Sequence, residues 1–261
     1  DLEMYLNSYG YEEGQPEARK QRNEMMLKAA RFGEKLLEAI GDGRTRGALA
    51  DLYYLVQQAE RGSKGRRKTV AFPLRLEVSS ALGQLLTRLD AVESFPGLTI
   101  ESQEAGGSVV TIPDLFSLGS LGGTWLEAVV YKRLSKAFRG VRNVQVVAGL
   151  DVRLEGRKRS LTDFDILIFG NDRLDLVEVK AVIGLDGLKQ EQVTKLADYK
   201  RRLSGPAGRA WLVAPLVEYG HDDHRDLSRN AEQVAVTLLT GPSAVNRLVQ
   251  LVVESRINAK R

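Results

Sequence analysis

The chain has 261 residues, 43% of them hydrophobic and 28% charged, which is ample for a buried core and ordinary for a globular protein. It holds no cysteine, which excludes disulfides, cysteine-ligated zinc or iron–sulfur centres and a cysteine nucleophile. The net charge of +4 is compatible with nucleic acid. No apolar run approaches the roughly 18 residues of a membrane span and no signal segment opens the chain, so a cytoplasmic protein with no membrane contact is expected.

Asp1 stands where a Met would start a gene product, which fits a processed chain or a piece of a longer protein. Residues 1–15 are polar, hold Gly10 and Gly14, and read as a loosely ordered lead-in. Helical spacing runs from Pro16 to Ile40, with Met25, Leu27, Phe32, Leu36 and Ile40 on its apolar stripe, and Gly41-Asp42-Gly43 stops it. A second helix is expected over Leu49–Glu60. The segment Arg61–Lys68 then carries five basic residues and two glycines. It reads equally as a phosphate-contact surface, through Lys64, Arg66, Arg67 and Lys68, or as a solvated linker. A third helix is expected over Leu74–Val92. Leu98–Ile112 alternates around Ala105-Gly106-Gly107 and reads as a hairpin. Residues 1–98 thus form a mainly helical N-terminal region, and 99–261 a second domain.

In that domain a helix over Thr124–Phe138, with Thr124 as its cap, precedes strands Val144–Leu154, Leu161–Phe169 and Leu174–Lys180. A helix over Leu188–Leu203, strands Ala210–Ala214 and Val234–Leu239 and a helix over Ser243–Ile257 follow. The two histidines fall in His221-Asp222-Asp223-His224, which reads as a solvated loop rather than a zinc pair. The fold class expected is α/β (α+β), a mixed sheet flanked by helices.

The informative stretch is Thr162-Asp163-Phe164-Asp165-Ile166, the turn Gly170-Asn171-Asp172-Arg173, then Glu178-Val179-Lys180. Side chains alternate along a strand, so Glu178 and Lys180 share a face, as do Asp163 and Asp165. With Asn171-Asp172 at the hairpin tip, Asp165 lies opposite Glu178 and Asp163 opposite Lys180, all on one face. Opposed carboxylates are unfavourable unless a cation joins them. Magnesium or manganese suits an all-oxygen site and takes substrate phosphate oxygens. Lys180 beside it can orient water or stabilise a pentacovalent phosphate. A Glu-x-Lys triplet alone is an ordinary ion pair on a strand; the preceding aspartate strand, the register and the following helix favour phosphodiester hydrolysis.

These residues resemble the PD-(D/E)xK nuclease superfamily, a restriction-endonuclease-like fold, with Asp165 as the first acid and Glu178-Val179-Lys180 as the second motif. Gly122-Gly123-Thr124-Trp125-Leu126-Glu127 is similar to the helix motif of CRISPR-associated effector nucleases that join a CARF sensor to such a domain. The resemblance covers about Val109 to Lys260. It implies Glu127 as a further metal-binding acid, Mg2+ or Mn2+ as cofactor and DNA and/or RNA as substrate. It implies a cyclic oligoadenylate activator only where a sensor domain lies upstream, because residues 1–98 read as helices and not as a Rossmann sensor. A homodimer would suit two cuts on a duplex. Two alternatives stay open: a restriction- or repair-type nuclease acting on duplex DNA, and a non-catalytic nucleic-acid-binding module.

Overall fold

A computed structural model of the chain describes residues 2–13, 16–40, 42–64, 72–104, 106–155, 160–181, 188–204, 207–217 and 222–257. The opening residues are not a loose lead-in. Leu2–Ser8 form α1 and Tyr11–Glu13 form β1. Leu2, Leu6 and Tyr11 are buried, and β1 pairs antiparallel with Val152–Leu154. So few apolar residues leave no periodic signal; tertiary burial makes the segment regular.

The chain divides into two units, residues 26–129 and residues 1–25 with 130–261. In the first unit, α2 (Pro16–Ala39) from Met26 onward and α3 (Gly43–Lys64) lead to β2 (Leu74–Ser79), α4 (Ser80–Arg88) and α5 (Ala91–Ser94). Then come β3 (Thr99–Ser102), β4 (Gly107–Ile112), α6 (Leu115–Gly119), a π-helical turn at Ser120–Thr124 and the start of α7 (Trp125–Ala137). Phe32, Leu36 and Ile40 of the expected α2 stripe are fully buried, but at its start Met26 is buried in place of Leu27, which is 55% exposed. The third helix expected over Leu74–Val92 is corrected to a strand and two short helices. Leu74, Leu76 and Val78 alternate along β2, and the Ser79 hydroxyl accepts the Leu82 N–H to begin α4. The hairpin β3–β4 is present, with β2 added to make a three-stranded antiparallel sheet in the order β2-β4-β3.

Gly33 on α2 is fixed by close approach. A Cβ there would stand 2.6 Å from Val129 Cγ2 and 2.7 Å from the Trp125 carbonyl oxygen. Trp125 is itself fully buried, with its indole N–H donating to Tyr53 Oη at 3.1 Å. Burial holds the Tyr53 phenol above its ordinary pKa. Gly33→Ala is therefore expected to destabilise this unit by about 1–3 kcal/mol in urea denaturation, despite alanine's better helix propensity. An unchanged or raised midpoint would show that the helices yield freely here.

The second unit continues from α7 through β5 (Gln145–Leu154), β6 (Ser160–Gly170), β7 (Arg173–Val179), α8 (Gln190–Tyr199), β8 (Ala210–Ala214), α9 (Asp222–Gln233), β9 (Val236–Thr240) and α10 (Ala244–Ile257). Its six-stranded sheet runs β1-β5-β6-β7-β8-β9, antiparallel up to β7 and parallel from β7 to β9. One face buries Leu176, Leu212 and Phe164 against Val193 and Leu196 of α8 and Leu227 and Ala231 of α9. α10 lies against β8 and β9. The mixed sheet flanked by helices is as expected. The His221–His224 run is not a loop where it is described: residues from Asp222 belong to α9. Leu227 and Ala231 are the buried apolar residues of α9, which is too sparse a pattern to announce a helix. No described helix is long and apolar enough to cross a membrane.

Candidate active site

The hairpin β6–β7 is set by its turn. Asn171 and Asp172 have φ of 53° and 55°, the two positive values that a type I′ turn requires. The pairing then runs from Gly170↔Arg173 to Ile166↔Val177, the register expected from the sequence. Continued one step, it brings Asp165 opposite Glu178. The backbone ladder stops there, because Asp165 Oδ2 accepts the Val179 N–H at 2.7 Å.

On the other side of β6 the pairing with β5 is interrupted between Ala148↔Ile166 and Leu150↔Phe164. The β5 residue at that point, Gly149, has a φ of 61°. Glycine takes this conformation at no steric cost, and such a position bends a strand. The alternation of faces changes at this bend: Phe164 enters the same core as Leu167 and Phe169. Across β5, Asp163 lies opposite Asp151. On the other edge the β6–β7 ladder ends at Ile166↔Val177, so Asp163 and Lys180 are not a ladder pair, although both line one cleft. Lys180 directly follows β7, and its N–H donates to the Val213 carbonyl at 2.8 Å. Burial first, and then the facing Asp163 charge, raise the Asp151 carboxyl above its ordinary pKa, against the pull of Arg153.

The three residues Asp165, Glu178 and Lys180 do come together. Lys180 Nζ lies 2.5 Å from Glu178 Oε1 and 4.0 Å from Asp165 Oδ2, and all three side chains are only 14–26% exposed. Two carboxylates against one ammonium leave net negative charge in a partly desolvated place. The ammonium marks where a cation is already welcome. Among the described residues, no three His, Asp or Glu side chains gather closely enough to hold a metal by themselves. Asp165 and Glu178 still fit a hard divalent ion of the magnesium type, which binds few protein carboxylates and completes its shell with water and substrate oxygens.

Glu178 and Lys180 open into a cleft of about 370 Å3 shared with Asp163, Lys189, Lys195 and Tyr199. The last two stand one turn apart on α8, a spacing that sequence reasoning treats as an ordinary helix surface. Only the packing of α8 over the sheet reveals them. Glu127 sits half-buried in the first turn of α7, in the other unit, and keeps only the role that the motif resemblance implies. Lys64 ends α3, while Arg66, Arg67 and Lys68 lie outside the described residues.

Comparison with known proteins gives a family and a fold. The family model described as "Card1-like, endonuclease domain" matches residues 118–259. Among curated proteins, none matches the chain. Protein VC1899 from Vibrio cholerae, known from its crystal structure, shares 22% identity with a TM-score of 0.62, over 97% of this chain and 60% of that one. Can2 from Sulfobacillus thermosulfidooxidans, solved in complex with cyclic tetra-adenylate, shares 12% identity with a TM-score of 0.66, again over 97% of this chain and 60% of that one. The chain thus spans about 60% of the length of these two proteins, and at such identities the likeness shows the fold alone.

Proposed function

Because the chain belongs to the Card1-like endonuclease domain family, we propose that it hydrolyses phosphodiester bonds of DNA and/or RNA, as a CRISPR-associated defence nuclease of the PD-(D/E)xK kind. The single observation that carries the assignment of the centre is the clasp of Lys180 Nζ between Glu178 and Asp165 at the mouth of an open cleft. Asp165 is held in place by the Val179 N–H, so its carboxylate is fixed before substrate arrives. Lys180 carries a positive charge to the point where a phosphate gains negative charge as a water attacks it. Released from Glu178, its ammonium can donate to a phosphate oxygen or orient that water. Asp165 and Glu178 would hold a magnesium or manganese ion, which when bound would supply Lewis acidity toward a phosphate oxygen and lower the pKa of bound water. Glu127 is proposed as a metal-binding acid on the motif resemblance alone.

The cyclic tetra-adenylate of the Can2 complex suggests an activator of that class for the whole protein. The unit formed by residues 26–129 has a three-stranded antiparallel sheet, unlike the parallel doubly wound sheet of a Rossmann-type sensor. Activation by a cyclic oligoadenylate therefore calls for a further domain. The test is cleavage of labelled single- and double-stranded DNA and RNA with manganese, with magnesium and with chelator. Cutting that needs the metal and stops with chelator is expected. Cutting unaffected by chelator would remove the divalent ion from the reading.

A further inference from the structure

A phosphodiester entering the cleft meets Asp163 and Glu178 on its wall, with Asp165 beside them, and the Lys180 charge is already engaged by two carboxylates. Substrate needs a cation that is not spent on the acids. Resting on the nuclease reading of the same cleft, we infer that Lys195 binds a phosphate neighbouring the scissile one, and that Tyr199 positions it.

Four observations carry this. Val193 and Leu196 are buried in the sheet's core, which fixes the rotation of α8 and turns Gln192, Lys195 and Tyr199 to the cleft. Among the described residues Lys195 pairs with no carboxylate, although Glu191 stands one turn before it in the favourable order for a helical ion pair. Its ammonium instead lies over the Tyr199 ring, 5.6 Å from the centroid. That ring meets Phe164 edge-on, with centroids 5.3 Å apart, and Phe164 is buried beside Asp165 in β6. A packed chain of side chains therefore ties the second cation to the strand that carries the first acid. A helix-surface lysine coating solvent would have no such tether.

The two lysines should then separate kinetically. Lys180 acts on the reacting phosphate and Lys195 on a neighbouring one that keeps its charge throughout the reaction. Such uniform binding appears in KM and not in kcat. Steady-state cleavage of a labelled oligonucleotide, repeated across salt concentrations, tests this with Lys195→Gln, Tyr199→Phe and Tyr199→Leu. Lys195→Gln is expected to raise KM about tenfold or more with kcat nearly unchanged, and to reduce the salt dependence by about one phosphate contact. Tyr199→Phe keeps the ring and should raise KM less than Tyr199→Leu. Tyr199→Leu should reproduce the KM effect of Lys195→Gln.

Lys195→Gln with the KM and salt slope of wild type overturns the inference and leaves Asp165, Glu178 and Lys180 as assigned. A Tyr199→Leu variant that lowers kcat alone overturns the positioning role. A wild-type chain with no affinity for any oligonucleotide overturns both this inference and the nuclease reading.

Discussion

Lys180→Ala is expected to lower the cleavage rate by about a hundredfold or more, while the chain remains folded and still binds the divalent ion. The side chain is 26% exposed and pairs with two carboxylates, so its loss costs the fold little in direct packing. It does leave Asp165 and Glu178 without their ammonium. The vacated charge favours a divalent ion, so manganese binding measured by calorimetry should be unchanged or tighter in the variant. Glu178→Ala should differ by weakening metal binding and cleavage together. This contrast separates a residue that acts on substrate from one that holds the ion. Full cleavage by Lys180→Ala would sink the assignment.

Arg256→Met is expected to destabilise the six-stranded sheet by about 3–5 kcal/mol, because it leaves a buried carboxylate short of its partner. Arg256 on α10 is 4% exposed and Asp175 on β7 fully buried. The guanidinium donates to Asp175 Oδ2 at 2.7 Å and to the carbonyls of Gly170 at 2.8 Å and Ile168 at 2.5 Å. Burial pulls the pKa of Arg256 down, and the Asp175 charge opposes that. Asp175 also takes the Arg173 Nε at 2.7 Å and the Arg209 N–H at 2.9 Å. The network grips both ends of the turn that sets the hairpin register, so its failure would reach Glu178 through β7. Arg256→Lys should not rescue, since a single ammonium cannot match the fork. A urea midpoint corresponding to a loss below about 1 kcal/mol would show that water replaces the guanidinium cheaply.

The hairpin and its two acids were legible because their signals are local. A Gly-Asn-Asp-Arg turn sets the register, and the register sets which carboxylates face each other. Three things were not legible. The bend at Gly149 changes the alternation of faces along β5 and β6, and nothing in an isolated strand distinguishes a bending glycine from an ordinary one. β2 runs without a break into α4, so its period-two pattern merged with the helical one that follows Ser79. Lys195 and Tyr199 gain meaning only from the strands beneath α8, and helix spacing carries no information about those.

Pairing of β1 with β5 has a consequence for synthesis. Tyr11 meets Leu154, its neighbour across the sheet, only after about 140 further residues have been made. At roughly 5–20 residues per second, the opening segment waits on the order of ten seconds for its partner strand. Throughout that interval the ribosome carries Leu2, Leu6 and Tyr11 uncovered, and the stretch between them and their partners holds the whole unit of residues 26–129, free to fold first. A nascent chain halted before β5 emerges should therefore expose the segment Leu2–Glu13 to protease, and one halted after β6 should protect it.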